Sequence, residues 1–166
     1  MLGLFAKKKK EVVLYAPVDG RMIPLENVPD KVFASKMMGE GMAFCFEGDT
    51  VCAPCDGKLT MIANTLHAFG MTLSNGAEVL VHIGLDTVNL DGEGFRRLAA
   101  QGTTIKKGTP VIQIDRDVMK RHHIDLTMPV VIVNANGHSF HLCHGEGDVT
   151  MGEDAVLAFA SSSDNA

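Results

Sequence analysis

The stretch Leu66-His67-Ala68-Phe69-Gly70-Met71-Thr72-Leu73-Ser74-Asn75-Gly76-Ala77-Glu78-Val79-Leu80-Val81-His82-Ile83-Gly84 decides the fold of this chain. Asn-Gly is a strong hairpin signal, because both residues tolerate the left-handed backbone of a tight reversal. Phe69 and Met71 before the turn, and Val79 and Val81 after it, recur with the period of two that marks a half-buried strand. Two strands, Ala68 to Leu73 and Glu78 to Ile83, are therefore predicted. Their register has two solutions. A two-residue loop pairs Ser74 with Ala77 and Phe69 with His82, which makes His67 and His82 diagonal neighbours, with Cα atoms roughly 7–8 Å apart. A three-residue loop with a Gly bulge instead matches Phe69 and Met71 with Val81 and Val79 on one face. His82 and Leu80 then point away from the core, and His67 joins His82 only if the chain bends before Ala68. The two registers put His82 on opposite faces of the sheet, and the sequence alone leaves both open.

Outward from this hairpin, short runs of Val, Ile, Leu and Met are interrupted by Gly, Pro, Asn and Asp about every ten residues, the spacing of an all-β sandwich or barrel. Further strands are predicted at Val12 to Tyr15, Gly20 to Ile23, Met42 to Glu47, Thr50 to Ala53, Gly57 to Ile62, Thr109 to Ile114, Val130 to Val133 and Val156 to Phe159. Short helices are expected at Asp30 to Met37, Gly94 to Gln101 and Arg116 to His122. The fold class is all-β: an antiparallel β-sandwich, barrel-like, with a few short helical turns. An internal echo joins Ala16-Pro17-Val18-Asp19-Gly20 to Ala53-Pro54-Cys55-Asp56-Gly57, and in each a Pro that fixes φ precedes an Asp-Gly turn into a new strand.

The 166 residues suffice for one domain, and 46% hydrophobic content is that of a globular protein. A net charge of -5 argues against a nucleic-acid partner, which calls for a basic face. No apolar run approaches the roughly 20 residues of a membrane span, so a cytoplasmic protein is expected. There the four cysteines (Cys45, Cys52, Cys55, Cys143) stay free thiols. Cys52-Ala53-Pro54-Cys55 has redox spacing without a helix start to lower a thiol pKa, and reads as two small buried hydrophobes. Residues 1–11 and 161–166 read as flexible tails around a domain at 12–160. Within the first, Lys7, Lys8, Lys9 and Lys10 follow Leu2, Leu4 and Phe5, a pattern that gives at most weak contact with an anionic membrane surface.

Among the seven histidines, His67 and His82 stand out because the hairpin gives their positions meaning. With an ordinary pKa near 6.5, each ring has a neutral, nucleophilic form at cellular pH. His138, His141 and His144, with Cys143 and the pair His122-His123, have ligand chemistry that suits zinc. The surrounding Asn136-Gly137 and Gly145 favour solvated loops.

The segments Ala53-Pro54-Cys55-Asp56-Gly57, Thr65-Leu66-His67-Ala68-Phe69, Val81-His82-Ile83-Gly84-Leu85-Asp86-Thr87-Val88 and Gly92-Glu93-Gly94-Phe95 resemble, in order and spacing, the glucose-family IIA component of the bacterial phosphoenolpyruvate-dependent sugar phosphotransferase system. Val28-Pro29-Asp30-Lys31-Val32-Phe33-Ala34 does so too. The resemblance runs from about Ala16 to Phe159. It implies a type 1 IIA domain that accepts a phosphoryl group from the small carrier HPr and donates it to a cysteine of the IIB domain of a membrane sugar transporter. His82 matches the phosphorylated histidine, His67 the second histidine that stabilises the phosphoryl group, Thr65 a threonine of their hydrogen-bond network, and Asp86 an acidic neighbour. Val32, Phe33, Met37, Met38, Leu80 and Val88 match or adjoin the face that meets partners, among which metabolic proteins under regulation are a further class. No cofactor is required in this reading, and His67 and His82 are at most adventitious zinc ligands.

Two other classes compete. A zinc-dependent hydrolase would hold its metal with His67, His82 and Asp86 and keep an open position for water. A regulatory interaction module would bind partners without transferring phosphate. A swinging-arm carrier is disfavoured because the Asn75-Gly76 tip offers no lysine.

Overall fold

The computed structural model describes residues 11–161. The expected membrane-contacting lysines, and all of the expected tails except Glu11 and Ser161, lie outside the described residues.

Alternation in the sequence becomes antiparallel pairing throughout. The strands are β1 (Val13–Tyr15), β2 (Gly20–Pro24), β3 (Glu40–Phe46), β4 (Thr50–Cys52), β5 (Gly57–Ile62), β6 (Ala68–Thr72), β7 (Glu78–His82), β8 (Phe95–Arg97), β9 (Thr104–Ile105), β10 (Pro110–Ile114), β11 (Met128–Asn134), β12 (Phe140–Leu142), β13 (Gly147–Val149) and β14 (Ala155–Phe159). Eight form one sheet, β13-β2-β3-β11-β7-β6-β5-β9, and two three-stranded sheets, β1-β14-β12 and β4-β10-β8, complete the sandwich. All three contribute to one core, with Phe44, Phe69, Met71 and Met128 from the large sheet meeting Leu14, Ile112 and Leu157 from the small ones.

The sequence echo is the visible part of a structural duplication. Equating β2 with β5, β3 with β6, β11 with β7 and β13 with β9 makes the large sheet read alike from either end, and turns one small sheet into the other. The two Pro-containing turns bond reciprocally: the Tyr15 amide donates to the Pro54 carbonyl at 2.6 Å and the Cys52 amide to the Pro17 carbonyl at 2.9 Å. Their aspartates do equivalent work, Asp19 accepting from the Met151 amide and Asp56 from the Lys107 amide.

The duplication breaks where the site forms. Between β2 and β3 the chain inserts a 3-10 turn, Leu25–Asn27, and helix α1, Lys31–Ala34. Between β5 and β6 the equivalent link is only residues 63–67. The longer insertion lays Leu25, Val28 and Phe33 over Ala43 and Val131, a second, smaller apolar cluster on the outer face of the large sheet. This is why the central strand β11 reads as the unbroken apolar run Met128-Pro129-Val130-Val131-Ile132: both its faces are covered.

Two expectations need correction. The helix predicted from Gly94 to Gln101 is instead strand β8, paired with β10. Phe95, Leu98 and Ala99 mimic helical spacing, but only Phe95 is buried, and β10 needs a partner along that edge. The helix predicted from Asp30 to Met37 is only the turn α1, because Lys36 takes a left-handed φ of 64° and its ammonium is held between Glu26 and Glu40 at 2.9 and 3.0 Å. The third helix does form, as α2 (Arg116–Arg121), with Asp115 capping the amides of Asp117 and Val118. Strands β8, β9, β12 and β13 were not foreseen.

Candidate functional site

The hairpin takes the register that the apolar residues dictate. Phe69 stands opposite Val81 and Met71 opposite Val79, all within the core, and Ala68 stands opposite His82. The loop is Ser74-Asn75-Gly76, closed by the Gly76 amide on the Leu73 carbonyl with Gly76 at φ 84°, a three-residue turn whose glycine takes the left-handed position. Burying Phe69 and Met71 outweighs the shorter loop, so Leu80 and His82 face outward beside the second apolar cluster.

His67 precedes β6 and would continue its core-facing row. Leu66, at φ 63°, turns the chain out of that line. The carbonyl of His67 still receives the Ile83 amide at 2.7 Å, so its backbone stays tied to the end of β7. The ring itself meets His82 edge to face, with centroids 5.0 Å apart and planes at 79°. Phe33 closes the other side of His82 at 5.0 Å and 54°.

Each ring has its own anchor. Nδ1 of His82 lies 2.8 Å from the carbonyl oxygen of Gly84, an acceptor that obliges this nitrogen to donate. The lone pair of a neutral His82 is thereby confined to Nε2. Nδ1 of His67 lies 2.6 Å from the Thr65 hydroxyl. When Thr65 donates, the His67 proton sits on Nε2 as a donor available to an anion. Burial pushes the pKa of both rings below the ordinary 6.5, helped at His67 by the neighbouring His82. At His82, burial outweighs the opposing pull of the Gly84 carbonyl and of the Asp30 and Asp86 carboxylates. Both imidazoles are therefore neutral near pH 7, His82 with its lone pair on Nε2 and His67 able to present an Nε2 proton.

The predicted site residues fall as follows. Asp86 is exposed at the start of the 3-10 turn Thr87–Leu90 and acts on His82 through its charge. Val32, Met37, Met38 and Val88 are exposed, at 45, 79, 39 and 52%. Phe33, at 5%, is buried and forms a wall beneath the face, and Leu80 is half-buried against the second cluster. Two contributors escaped the sequence reading: Asp30, whose carboxylate caps α1 through the Val32 amide while acting on His82, and the Gly84 carbonyl. Gly84 is at φ 80°, where an added Cβ would lie 2.6 Å from the Thr87 methyl, and this requirement for glycine was the available signal.

Two other motifs carry no chemistry in the structure. Cys52 and Cys55 are buried, and burial pushes the Cys55 thiol up to about 12. The remaining histidines are dispersed: His138 bonds the Asn75 carbonyl, His144 the Gly145 carbonyl, and His122 pairs with Glu93. Among the described residues, no group of three or more His, Cys, Asp or Glu side chains converges to hold a metal. The three-ligand zinc site of the hydrolase alternative is not formed.

Residues 12–138 match the family model described as phosphoenolpyruvate-dependent sugar phosphotransferase system, EIIA 1. The chain is 39% identical over 164 residues to the glucose-specific EIIA component of Haemophilus influenzae, covering 95% of this chain and 98% of that one. It is 43% identical over 145 residues to the glucoside-specific EIICBA component of Staphylococcus carnosus, and spans only 21% of the length of that relative. Among solved structures it resembles the glucose permease IIA of Mycoplasma capricolum, with a TM-score of 0.81 and 34% identity, covering 90% of this chain and 96% of that one.

Proposed function

The chain belongs to the EIIA 1 family of the phosphoenolpyruvate-dependent sugar phosphotransferase system and is a phosphoryl carrier, and from that premise we propose that His82 is the residue that carries the phosphoryl group. One observation carries this assignment: the Gly84 carbonyl holds Nδ1 of His82 as a donor, which leaves Nε2 unprotonated on a ring whose centroid lies 5.0 Å from that of His67. In the uptake step the Nε2 lone pair attacks the phosphorus of a phosphohistidine on the small carrier HPr. The new N–P bond forms as the old one breaks, and the bonding pair returns to the donor ring. In the onward step a cysteine thiolate of a IIB domain attacks, an S–P bond forms, and the pair returns to Nε2 of His82. His67, oriented by Thr65, donates to a phosphoryl oxygen in both steps. Such transfers need in-line positioning and charge stabilisation, which an open, shallow site supplies. No cofactor or metal enters the scheme.

The IIB partner is supported by relatives in which IIA belongs to a single EIICBA polypeptide. Glucose, glucoside and N-acetylglucosamine all appear in the names of relatives. That range suits a protein whose site touches phosphate and never sugar. Asp30 and Asp86 would repel a phosphorylated partner unless it brings a cation, so both partners are expected to set a basic side chain between them.

The test is intact-mass measurement, under non-acidic conditions, after incubation with phosphoenolpyruvate, Enzyme I and HPr. The wild type and His67→Ala gain one phosphate and His82→Ala gains none. Uptake by His82→Ala would move the carrier site elsewhere, and no uptake by the wild type would remove the carrier assignment.

A further inference from the structure

Thr87 is the one polar residue among the described buried ones, at 0% exposure. Its hydroxyl donates to the carbonyl of Ile83 at 2.6 Å, and its methyl packs beneath Gly84. The segment it closes reverses direction twice through positive φ. Gly84 takes φ 80°, which glycine adopts freely, and Asp86 is left-handed at φ 56°, a conformation that a residue with a Cβ keeps where surrounding contacts hold it. One such contact is the Leu85 amide on the Asp125 carbonyl at 2.9 Å. The other is the Thr87 hydroxyl. It grips the Ile83–Gly84 peptide from inside, immediately ahead of the Gly84 carbonyl that holds Nδ1 of His82. The amide of that same Ile83 is held by the carbonyl of His67. One hydroxyl therefore fixes the residue that joins the backbones of both histidines.

We infer that Thr87 is a positioning residue for phosphoryl transfer: its hydroxyl keeps the Gly84 carbonyl on Nδ1 of His82 and so fixes the tautomer that presents a free Nε2. It touches neither phosphate nor partner and acts through Gly84. Without it, the Ile83 carbonyl loses its buried donor and the turn relaxes. The Gly84 carbonyl then leaves Nδ1, and the His82 ring divides between tautomers, one of which has no lone pair on Nε2. The inference rests on His82 being the phosphoryl acceptor.

The experiment combines ring-nitrogen NMR of His82 with the rate of phosphoryl uptake from phospho-HPr, in the full-length protein. Thr87→Val keeps the shape and removes the hydroxyl, and Thr87→Ser restores it without the methyl. In the wild type and Thr87→Ser the ring carries its proton on Nδ1. In Thr87→Val it populates both tautomers, and kcat for uptake falls about 10- to 100-fold with KM for HPr unchanged, the scale of a small misplacement of a reacting group. A folded Thr87→Val variant with His82 wholly protonated on Nδ1 and unaltered uptake overturns the inference. If Thr87→Val does not fold, Thr87→Ser decides, since mixed tautomers there would assign the effect to the methyl. The NMR readout requires no phosphate, so failure of the His82 assignment and failure of the Thr87 role are separable.

Discussion

His67 and His82 are not cross-strand partners: Ala68 holds the position opposite His82, and the two rings meet at 5.0 Å because the chain turns left-handed at Leu66, one residue before His67. The site thus joins a rigid half to an adjustable one. His82 ends a core strand and is anchored by backbone, whereas His67 sits on a five-residue link and is anchored by the Thr65 side chain.

That difference separates the roles of the two anchors. Thr65→Val removes the hydroxyl from Nδ1 of His67 and frees its tautomer, while His82 keeps its Gly84 acceptor. Uptake and transfer to IIB should both continue but slow about ten-fold, because one oriented donor to the phosphoryl oxygens is lost from each step. Single-turnover rates for the two half-reactions check this. Slowing of one half-reaction alone would show that His67 donates only in that step.

The lowered pKa values give the pH profile a definite sign. In the proposed reaction the nucleophile is the neutral ring of His82, and burial holds its pKa below 6.5, so the acid limb of uptake has its midpoint below pH 6.5. Asp30 and Asp86 raise that pKa, so Asp30→Asn with Asp86→Asn moves the acid limb further down, and asparagine still caps α1. Stability follows the same linkage. Below about 6.5 the unfolded imidazoles bind protons that the folded ones do not, so stability is complete above that pH and is lost as pH falls toward the folded values. Urea unfolding between pH 5 and 7, compared with a His67→Gln/His82→Gln double variant in which this slope flattens, measures it.

The strands with alternating apolar residues were legible because each buries a row of side chains, and the burial of Phe69 and Met71 chose between two registers that the turn chemistry left open. Strands β8, β9, β12 and β13 were not, since they are two or three residues long and lie at sheet edges, where pairing rather than a side-chain row holds them. Both histidines were singled out by their place in a motif. The Gly84 carbonyl and the Thr87 hydroxyl act through backbone geometry, which residue identity encodes only as a glycine that cannot be replaced and a threonine among apolar neighbours.

The cysteine pair offers a check on the core. Cys55 has its thiol near 12 and its sulfur 4.0 Å from that of Met71, and Cys52 is raised as well, both mainly by burial. Iodoacetamide at mildly alkaline pH should alkylate Cys45 and Cys143 in the native protein, and Cys52 and Cys55 only after denaturation, as peptide mass spectrometry would report. Rapid native labelling of Cys55 would contradict the packing around the two Pro-containing turns.

Docking can be tested on side chains that the fold does not need. Val32, Met37 and Val88 are at least 45% exposed in the chain segments next to Phe33 and His82, while Leu142, at 41%, is similarly exposed on the edge strand of the β1-β14-β12 sheet. Surface substitutions at both kinds of position should change stability by no more than about 0.5 kcal/mol. If the face around His82 is where HPr and IIB dock, Met37→Glu sets a charge in a desolvated contact and lowers kcat/KM for uptake about ten-fold, through KM, by removing an apolar anchor. Leu142→Glu, with the same change in charge, leaves kcat/KM unaltered. Equal losses in the two variants would trace the effect to net charge, and no loss in Met37→Glu would place the contact nearer Leu80, where Met61 and Val133 line an apolar groove of about 300 Å³.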